Sequence, residues 1–192
     1  MALSTVAFTF TNEAKAQAQK DFFQELSKAA LSLTAQKVSY DPQYFKIDYP
    51  NGDVPADRGV CTDVVVRAYR KVGVDLQQEV HEDMQANFDA YPNHWGLKKT
   101  DTNIDHRRVP NLMKFFERQG SALSIADNAT NYKPGDVVCW NLGRGILHIG
   151  IVVNQKAENS QRLLIVHNIG DGQVAEDILF QYKIIGHYRL KK

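Results

Sequence analysis

The chain reads Asp57-Arg58-Gly59-Val60-Cys61-Thr62-Asp63-Val64-Val65 where a polar loop gives way to a helix, and this stretch decides the fold. Apolar side chains recur at helical spacing as far as Val72, and Gly73 follows as a stop signal. The pattern predicts a helix over residues 61–72 that begins at Cys61. Because the first N–H groups of a helix are unpaired and carry partial positive charge, we expect them to favour a thiolate at Cys61 and to hold an oxyanion. On position alone, Cys61 could equally be a small buried apolar residue.

Helical patterns come first along the chain and strand patterns follow. Helical spacing also marks residues 19–35, residues 78–90 and the segment from Pro110 to Gly120. The segments that resemble strands are short and rich in Ile and Val: Asp136–Trp140, Ile146–Val153, Leu163–His167 and Ile184–Leu190. Helices followed by an antiparallel sheet are typical of the α+β class. We therefore predict one α+β domain over residues 19–192, with N-terminal helices, the helix of Cys61 and a C-terminal antiparallel sheet.

Composition narrows the classes of partner. The chain has 192 residues, 43% of them hydrophobic, which suits a single domain with a sizeable core. Lys and Arg total 23 against 22 Asp and Glu, so the net charge of +1 gives no case for nucleic acid or anionic membrane as a partner. No apolar run approaches the roughly 18 residues of a membrane span. We expect a monomer whose function depends on a site.

The first 18 residues have some features of a secretory leader. Ala14-Lys15-Ala16 and Ala16-Gln17-Ala18 both match the small-x-small pattern of a cleavage site, although a basic start is missing. We interpret residues 1–18 as the remnant of a signal peptide or as an N-terminal extension, and we expect the protein in the periplasm or otherwise exported. The alternative is an ordinary first helix in a cytoplasmic protein.

Two histidines lie in the predicted strands. His148 interrupts the apolar run Ile146–Val153, and alternation places it on one face with Gly150, which we expect to leave open space beside the imidazole. His167 ends the next strand, so neighbouring antiparallel strands could bring the two rings side by side. A cysteine, a base and an orienting polar group form an activated thiol. Zinc is the competing interpretation, because one cysteine and two histidines are acceptable ligands.

The remaining candidates are weaker. Cys139 lies inside a strand without charged neighbours, and we interpret it as core filler that forms no disulfide with Cys61. The charged stretch from Asp105 to Pro110 is a solvated loop, a segment that caps a helix, or a rim whose Arg107 or Arg108 binds a carboxylate of the substrate.

Two groups of motifs carry a family resemblance. Lys133-Pro134-Gly135-Asp136-Val137-Val138 followed by His148-Ile149-Gly150-Ile151-Val152 resembles the strand pair of NlpC-like peptidases, which have the papain-like fold and cut bacterial cell-wall peptides. Residues 48–63 together with residues 103–111 are more similar to an uncharacterised bacterial domain family placed near that group. The resemblance spans roughly residues 20–190.

The resemblance implies a papain-like cysteine hydrolase that needs no metal or organic cofactor. Cys61 matches its nucleophile, His148 its base and His167 its third polar residue, and an amide of a peptidoglycan stem peptide would be cleaved through a thioester. The common pattern has Asp before the cysteine and Ser-Gly after it, whereas this chain has Val60, Thr62 and Asp63, so the substrate pocket differs.

Four charged residues are candidate substrate contacts: Arg58, Asp63, Arg107 and Arg108. The stretch between Cys61 and His148 is also longer than usual, so the cleft could be lined differently. The alternative functions are a thiol acyltransferase or lipid-directed amidase on the same fold, and a catalytically silent module that binds the cell wall.

Overall fold

The computed structural model describes the backbone of residues 3–190 and the side chains of residues 14–190. Within these residues the chain forms four α-helices and seven β-strands. Their bounds are α1 Leu3–Leu33, β1 Ser39–Tyr40, β2 Arg58–Gly59, α2 Cys61–Lys71, α3 Leu76–Ala86, α4 Val109–Arg118, β3 Val137–Asn141, β4 Leu147–Lys156, β5 Leu163–His167, β6 Val174–Glu176 and β7 Lys183–Tyr188.

The main sheet has five antiparallel strands in the order β6-β5-β4-β3-β7. β1 and β2 form a separate parallel pair that leads into α2. The predicted α+β class, with helices first and an antiparallel sheet afterwards, is therefore confirmed.

The two faces of the sheet bury different clusters. Ile149, Ile151 and Val153 of β4 pack with α1, α2 and α4 in the larger core. Val152 packs on the opposite face with Trp140, whose indole N–H donates to the Leu179 carbonyl at 3.0 Å. Because successive side chains of a strand alternate between faces, His148 shares the face of Gly150 and Val152, as the sequence predicted, and it lies beside Trp140 on that face.

Most predicted elements are present, with shifted ends. α2 begins at Cys61 and β5 has the predicted bounds, whereas the predicted helix over 78–90 is displaced to Leu76–Ala86. β6 was missed, because three residues after a glycine-containing turn give too short a pattern.

The first helix is longer than predicted. Residues 3–18 continue α1 toward the N-terminus, so the predicted cleavage sites lie within this helix. Met1, Ala2 and the side chains before Ala14 lie outside the described residues, and export stays a prediction. Among the described helices, none is both long and apolar enough to cross a bilayer.

The expectation of open space at Gly150 was wrong. A Cβ at this position would lie 2.6 Å from Ile165 Cγ2, 3.0 Å from the Val166 carbonyl oxygen and 3.1 Å from His167 Cβ. Gly150 therefore allows β5 to approach β4 closely, and this approach sets the position of His167.

We predict that Gly150→Ala destabilises the protein by about 1–3 kcal/mol, since the added methyl group overpacks a site bounded partly by backbone. Urea denaturation followed by circular dichroism measures the change. Ile165→Ala removes the nearest clashing atom, so the double variant should lose less stability than the sum of the single variants. Additive losses would contradict the close-approach explanation.

Candidate functional site

The N-terminus of α2 holds Cys61 in a defined position. The Val60 N–H donates to Asp63 Oδ2 at 2.7 Å, so the first turn is closed by a side chain from inside the helix. The amide of Asn168, at the end of β5, donates to the Gly59 carbonyl at 3.1 Å. These two contacts fix the start of the helix against the sheet.

Asp63 is also one half of a buried ion pair. Arg107 Nε donates to Asp63 Oδ1 at 2.8 Å and Arg107 Nη2 to Asp63 Oδ2 at 3.0 Å. The remaining Arg107 N–H groups donate to the carbonyls of Gln43 and Asp41. Arg107 therefore ties α2 to the loop that precedes β2, and both Asp63 oxygens already have protein partners.

The solvated-loop interpretation of the stretch from Asp105 to Pro110 was wrong. Asp105, His106 and Arg107 form a buried 3₁₀ turn that leads directly into α4. His81 Nδ1 lies 2.9 Å from Asp105 Oδ2, which holds this turn against α3.

His148 and His167 lie side by side, as the strand order predicted. His148 Nε2 is 3.1 Å from His167 Nδ1, and the two rings meet edge to face with centroids 5.0 Å apart. His167 Nε2 is in turn 3.1 Å from Glu176 Oε2 on β6. Glu176 was not among the candidates from sequence, since the only signal for it is a three-residue strand.

This hydrogen-bonded series determines which nitrogens carry protons. An ionised carboxylate can only accept, so Glu176 requires a proton on His167 Nε2. A neutral His167 then presents an unprotonated Nδ1, which accepts from His148 Nε2–H. The free lone pair of His148 consequently lies on Nδ1, which has no hydrogen-bond partner among the described residues.

Burial keeps His148 neutral. Desolvation, followed by the proximity of His167, lowers the pKa of His148 to about 3. Burial likewise lowers the pKa of His167, although the Glu176 carboxylate opposes this effect. At neutral pH the His148 ring is therefore an unprotonated base.

Burial also acts on Cys61, against the expected thiolate. Cys61 is only 6% exposed, and desolvation raises the pKa of its thiol to about 12. The backbone N–H groups of Ile149, Thr62 and Cys61 itself point toward the sulfur and partly offset this rise. The expectation of a resting thiolate was wrong, because the loss of hydration outweighs the field of the helix terminus.

Cys61 and His148 approach β4 from different sides. The Cys61 sulfur belongs to the helix-covered core and lies against the N–H of Ile149, the residue after His148, whereas the imidazole leaves from the opposite face. Ile149 lies beyond the pairing of β4 with β5, which reaches from Lys156 only to Ile151. Within the described residues no hydrogen bond joins the thiol to the imidazole, so their direct contact stays a prediction.

A cleft of about 630 Å³ opens over Cys61. Arg107 and Arg108 line it, whereas Arg58 and Asp63 do not, and Arg58 instead pairs with Asp41 at 2.9 Å. The cleft wall that the sequence did not indicate contains Tyr40, His94, Trp95 and Leu147.

The two cysteines are unlinked. Both are free thiols, and Cys139 is completely buried in the core, as predicted. Among the described residues, no group of three or more His, Cys, Asp or Glu side chains is arranged to hold a metal ion.

Comparisons with known proteins identify the family of the chain. The chain matches the family described as domain of unknown function DUF1287 over residues 27–190. The uncharacterized protein YijF of Escherichia coli K12 is 51% identical over 150 residues, which cover 78% of this chain and 73% of YijF. The predicted membership of a family of unknown function is confirmed, whereas a relationship to NlpC-like peptidases stays a prediction.

A solved structure shares the fold at low identity. It is that of an N-acetylmuramoyl-L-alanine amidase from Bacteroides uniformis, with 14% identity and a TM-score of 0.54 over 90% of this chain and 100% of the amidase. At this identity the likeness is one of fold alone.

We predict that Asp63→Asn destabilises the protein by about 3–5 kcal/mol, because it leaves the buried Arg107 guanidinium without its counter-charge. Arg58→Ala removes a partly exposed pair and should cost about 1 kcal/mol or less. Urea denaturation of both variants measures the difference. Equal losses would show that the Asp63–Arg107 pair does not hold the start of α2.

Proposed function

This chain belongs to the DUF1287 family, and we propose that it hydrolyses an amide bond through the thiol of Cys61, with His148 as the base. His167 and Glu176 orient that base. The proposal assigns the chain to the papain-like hydrolases, as the strand motifs around Asp136 and His148 imply.

The observation that carries the proposal is the series Glu176–His167–His148. Each ring is fixed by the next partner at 3.1 Å, and the series leaves the lone pair on His148 Nδ1. A base oriented by a second group, which is itself oriented by a carboxylate, is the arrangement that activates a nucleophile.

The chemistry starts from two neutral groups. We expect the Cys61 side chain to turn from the Ile149 N–H, around the edge of β4 that β5 leaves unpaired, toward His148 Nδ1, which takes the proton as sulfur attacks the amide carbon. Backbone N–H groups at the start of α2 stabilise the oxyanion. His148 then gives the proton to the amine as the C–N bond breaks and leaves a thioester. Water attacks the thioester with His148 as base, the C–S bond breaks and the thiol is restored.

A peptidoglycan stem peptide is the substrate that we favour. Support comes from the motifs shared with cell-wall peptidases and from the fold shared with a cell-wall amidase at 14% identity. An exported protein would meet this substrate directly, so the proposed location agrees with the proposed reaction.

A catalytically silent binding module is the second candidate. It is favoured by the raised pKa of Cys61 and by the lack, in the part of the chain that the structure describes, of a hydrogen bond from Cys61 to His148. In that case Cys61 is a buried residue of the core without a catalytic role, and the cleft binds cell-wall peptides without cleaving them.

We predict that the purified protein releases fragments from peptidoglycan, and that Cys61→Ala or His148→Ala reduces the rate by about a thousandfold or more. Glu176→Gln should lower kcat by about a hundredfold with little change in KM, because an amide can donate to His167 and so impose the wrong tautomer. Mass spectrometry of the digests measures these rates.

Cys139→Ala is the matched control and should keep its activity, since Cys139 is completely buried and does not line the cleft. Undiminished cleavage by Cys61→Ala would refute the assignment. Binding without cleavage by a folded wild type would favour the silent module, and turnover of a lipid ester or thioester alone would favour an acyltransferase or lipid-directed amidase.

We also predict that iodoacetamide labels Cys61 faster than Cys139, because only Cys61 lines the cleft and has N–H groups near its sulfur. With the pKa of Cys61 at about 12, the rate should rise about tenfold per pH unit from pH 7 to pH 10, following the thiolate fraction. Peptide mapping gives both rates. A rate that is flat above pH 7 would mean that Cys61 rests as a thiolate.

A further inference from the structure

The cleft over Cys61 adjoins a smaller chamber of about 180 Å³. Trp95 and Arg108 line both spaces, so they form the wall between them. We call the smaller space the far chamber and define it by Phe88, Asp89, Tyr91, Trp95, Leu97 and Arg108. None of these residues takes part in the chemistry proposed above.

Arg108 differs from the other arginines of the chain. All nine arginines lie among the described residues, and seven of them pair with a carboxylate within the protein. Of the two without such a pair, Arg144 is exposed, whereas Arg108 Nη1 is buried and has no hydrogen-bond partner. A buried charged donor without a partner is costly, so an external acceptor is the expected complement.

The neighbouring carboxylates do not provide that acceptor. Asp101 and Asp105 are close enough to favour the charged guanidinium, but neither forms an ion pair with it. Asp101 accepts from Tyr44 and Asn103, and Asp105 Oδ2 contacts His81 and the Asp101 N–H. Asp105 Oδ1 is buried without a hydrogen-bond partner, but it forms no hydrogen bond or ion pair with Arg108 among the described residues.

Trp95 fixes the orientation of the Arg108 guanidinium. The guanidinium carbon lies 4.0 Å from the centroid of the Trp95 ring, so one face of the planar group is covered. Because Nη1 is itself buried, the N–H groups of Nε and Nη2 remain the binding surface, and their side-by-side arrangement suits the two oxygens of a carboxylate.

Asp89 supplies the opposite charge in the same chamber. Its carboxylate is exposed and forms no hydrogen bond or ion pair with the described residues. One unpaired cation and one unpaired anion, set among Phe88, Tyr91 and Leu97, match a short ligand that carries both charges on an apolar chain.

We propose that the far chamber binds a peptide residue that carries both a free carboxylate and a free ammonium group. Arg108 receives the carboxylate and Asp89 the ammonium, while the apolar walls cover the carbon chain between them. This places the terminal residue of a peptide beside the bond that Cys61 attacks. The orientation of that peptide rests on the proposed function, whereas the binding itself does not.

Isothermal titration calorimetry with the Cys61→Ala protein tests the proposal without catalysis. The probes are acetyl-Ala-Lys with a free carboxylate, its C-terminal amide and acetyl-Ala-norleucine, each with an L or a D terminal residue. For at least one configuration, we expect the free acid of the lysine probe to bind about tenfold more tightly than the amide. It should also bind more tightly than the norleucine probe, which lacks the ammonium group.

Variants in the Cys61→Ala background assign the two charges. Arg108→Gln should abolish the preference for the free carboxylate, Arg108→Lys should keep part of it, and Asp89→Asn should abolish the preference for lysine over norleucine. Arg144→Gln is the matched control and should change neither preference. Thermal melts confirm that each variant is folded.

Equal binding of acid and amide, an unchanged preference in Arg108→Gln, or no saturable binding of any probe would overturn the proposal. Failure of the proposed function gives a distinguishable result: the wild-type protein would not cleave peptidoglycan, yet it would still bind the probes with these preferences. An active enzyme without these binding preferences would support the proposed hydrolysis and refute the proposed binding in the far chamber.

Discussion

The buried contact between Asp63 and Arg107 is the interaction on which the site depends. Two charges removed from water require nearly ideal geometry, and here two Arg107 nitrogens meet the two Asp63 oxygens at 2.8 and 3.0 Å. The same carboxylate accepts from the Val60 N–H, one residue before Cys61. One ion pair therefore fixes the start of the helix that begins at Cys61, the loop before β2 and the segment that leads into α4.

This network gives Asp63, two residues after the cysteine, a structural role. The family resemblance implies that the neighbours of the cysteine help to define the substrate pocket. In this chain, however, Asp63 is buried and both of its oxygens accept hydrogen bonds from Val60 or Arg107. The proposed function therefore assigns recognition to the segment between α3 and α4, where Trp95 and Arg108 line the cleft. Arg107 and Arg108 are adjacent in sequence and yet have opposite roles, since one is paired with a carboxylate and the other is not.

The site balances two effects on its ionisable groups. The N-terminus of α2 favours a negative sulfur, whereas burial favours the neutral thiol and raises its pKa to about 12. Burial also favours the neutral form of His148 and lowers its pKa to about 3. The pair consequently rests uncharged, and proton transfer would have to accompany attack on the substrate. The orientation of the base matters more in such a site than in one with a preformed thiolate.

Sequence by itself determined the class of fold, the helix that begins at Cys61 and the proximity of His148 to His167. These features follow from local periodicity and from the pairing of consecutive strands, which are short-range properties. It could not reveal Glu176, whose strand has three residues, or the unpaired state of Arg108, since pairing depends on partners distant along the chain. Only the tertiary structure decided that the stretch from Asp105 to Arg107 is buried, that β4 and β5 approach each other closely at Gly150, and that the Cys61 thiol is neutral. The reason is that burial is created by segments that pack together only in the folded chain.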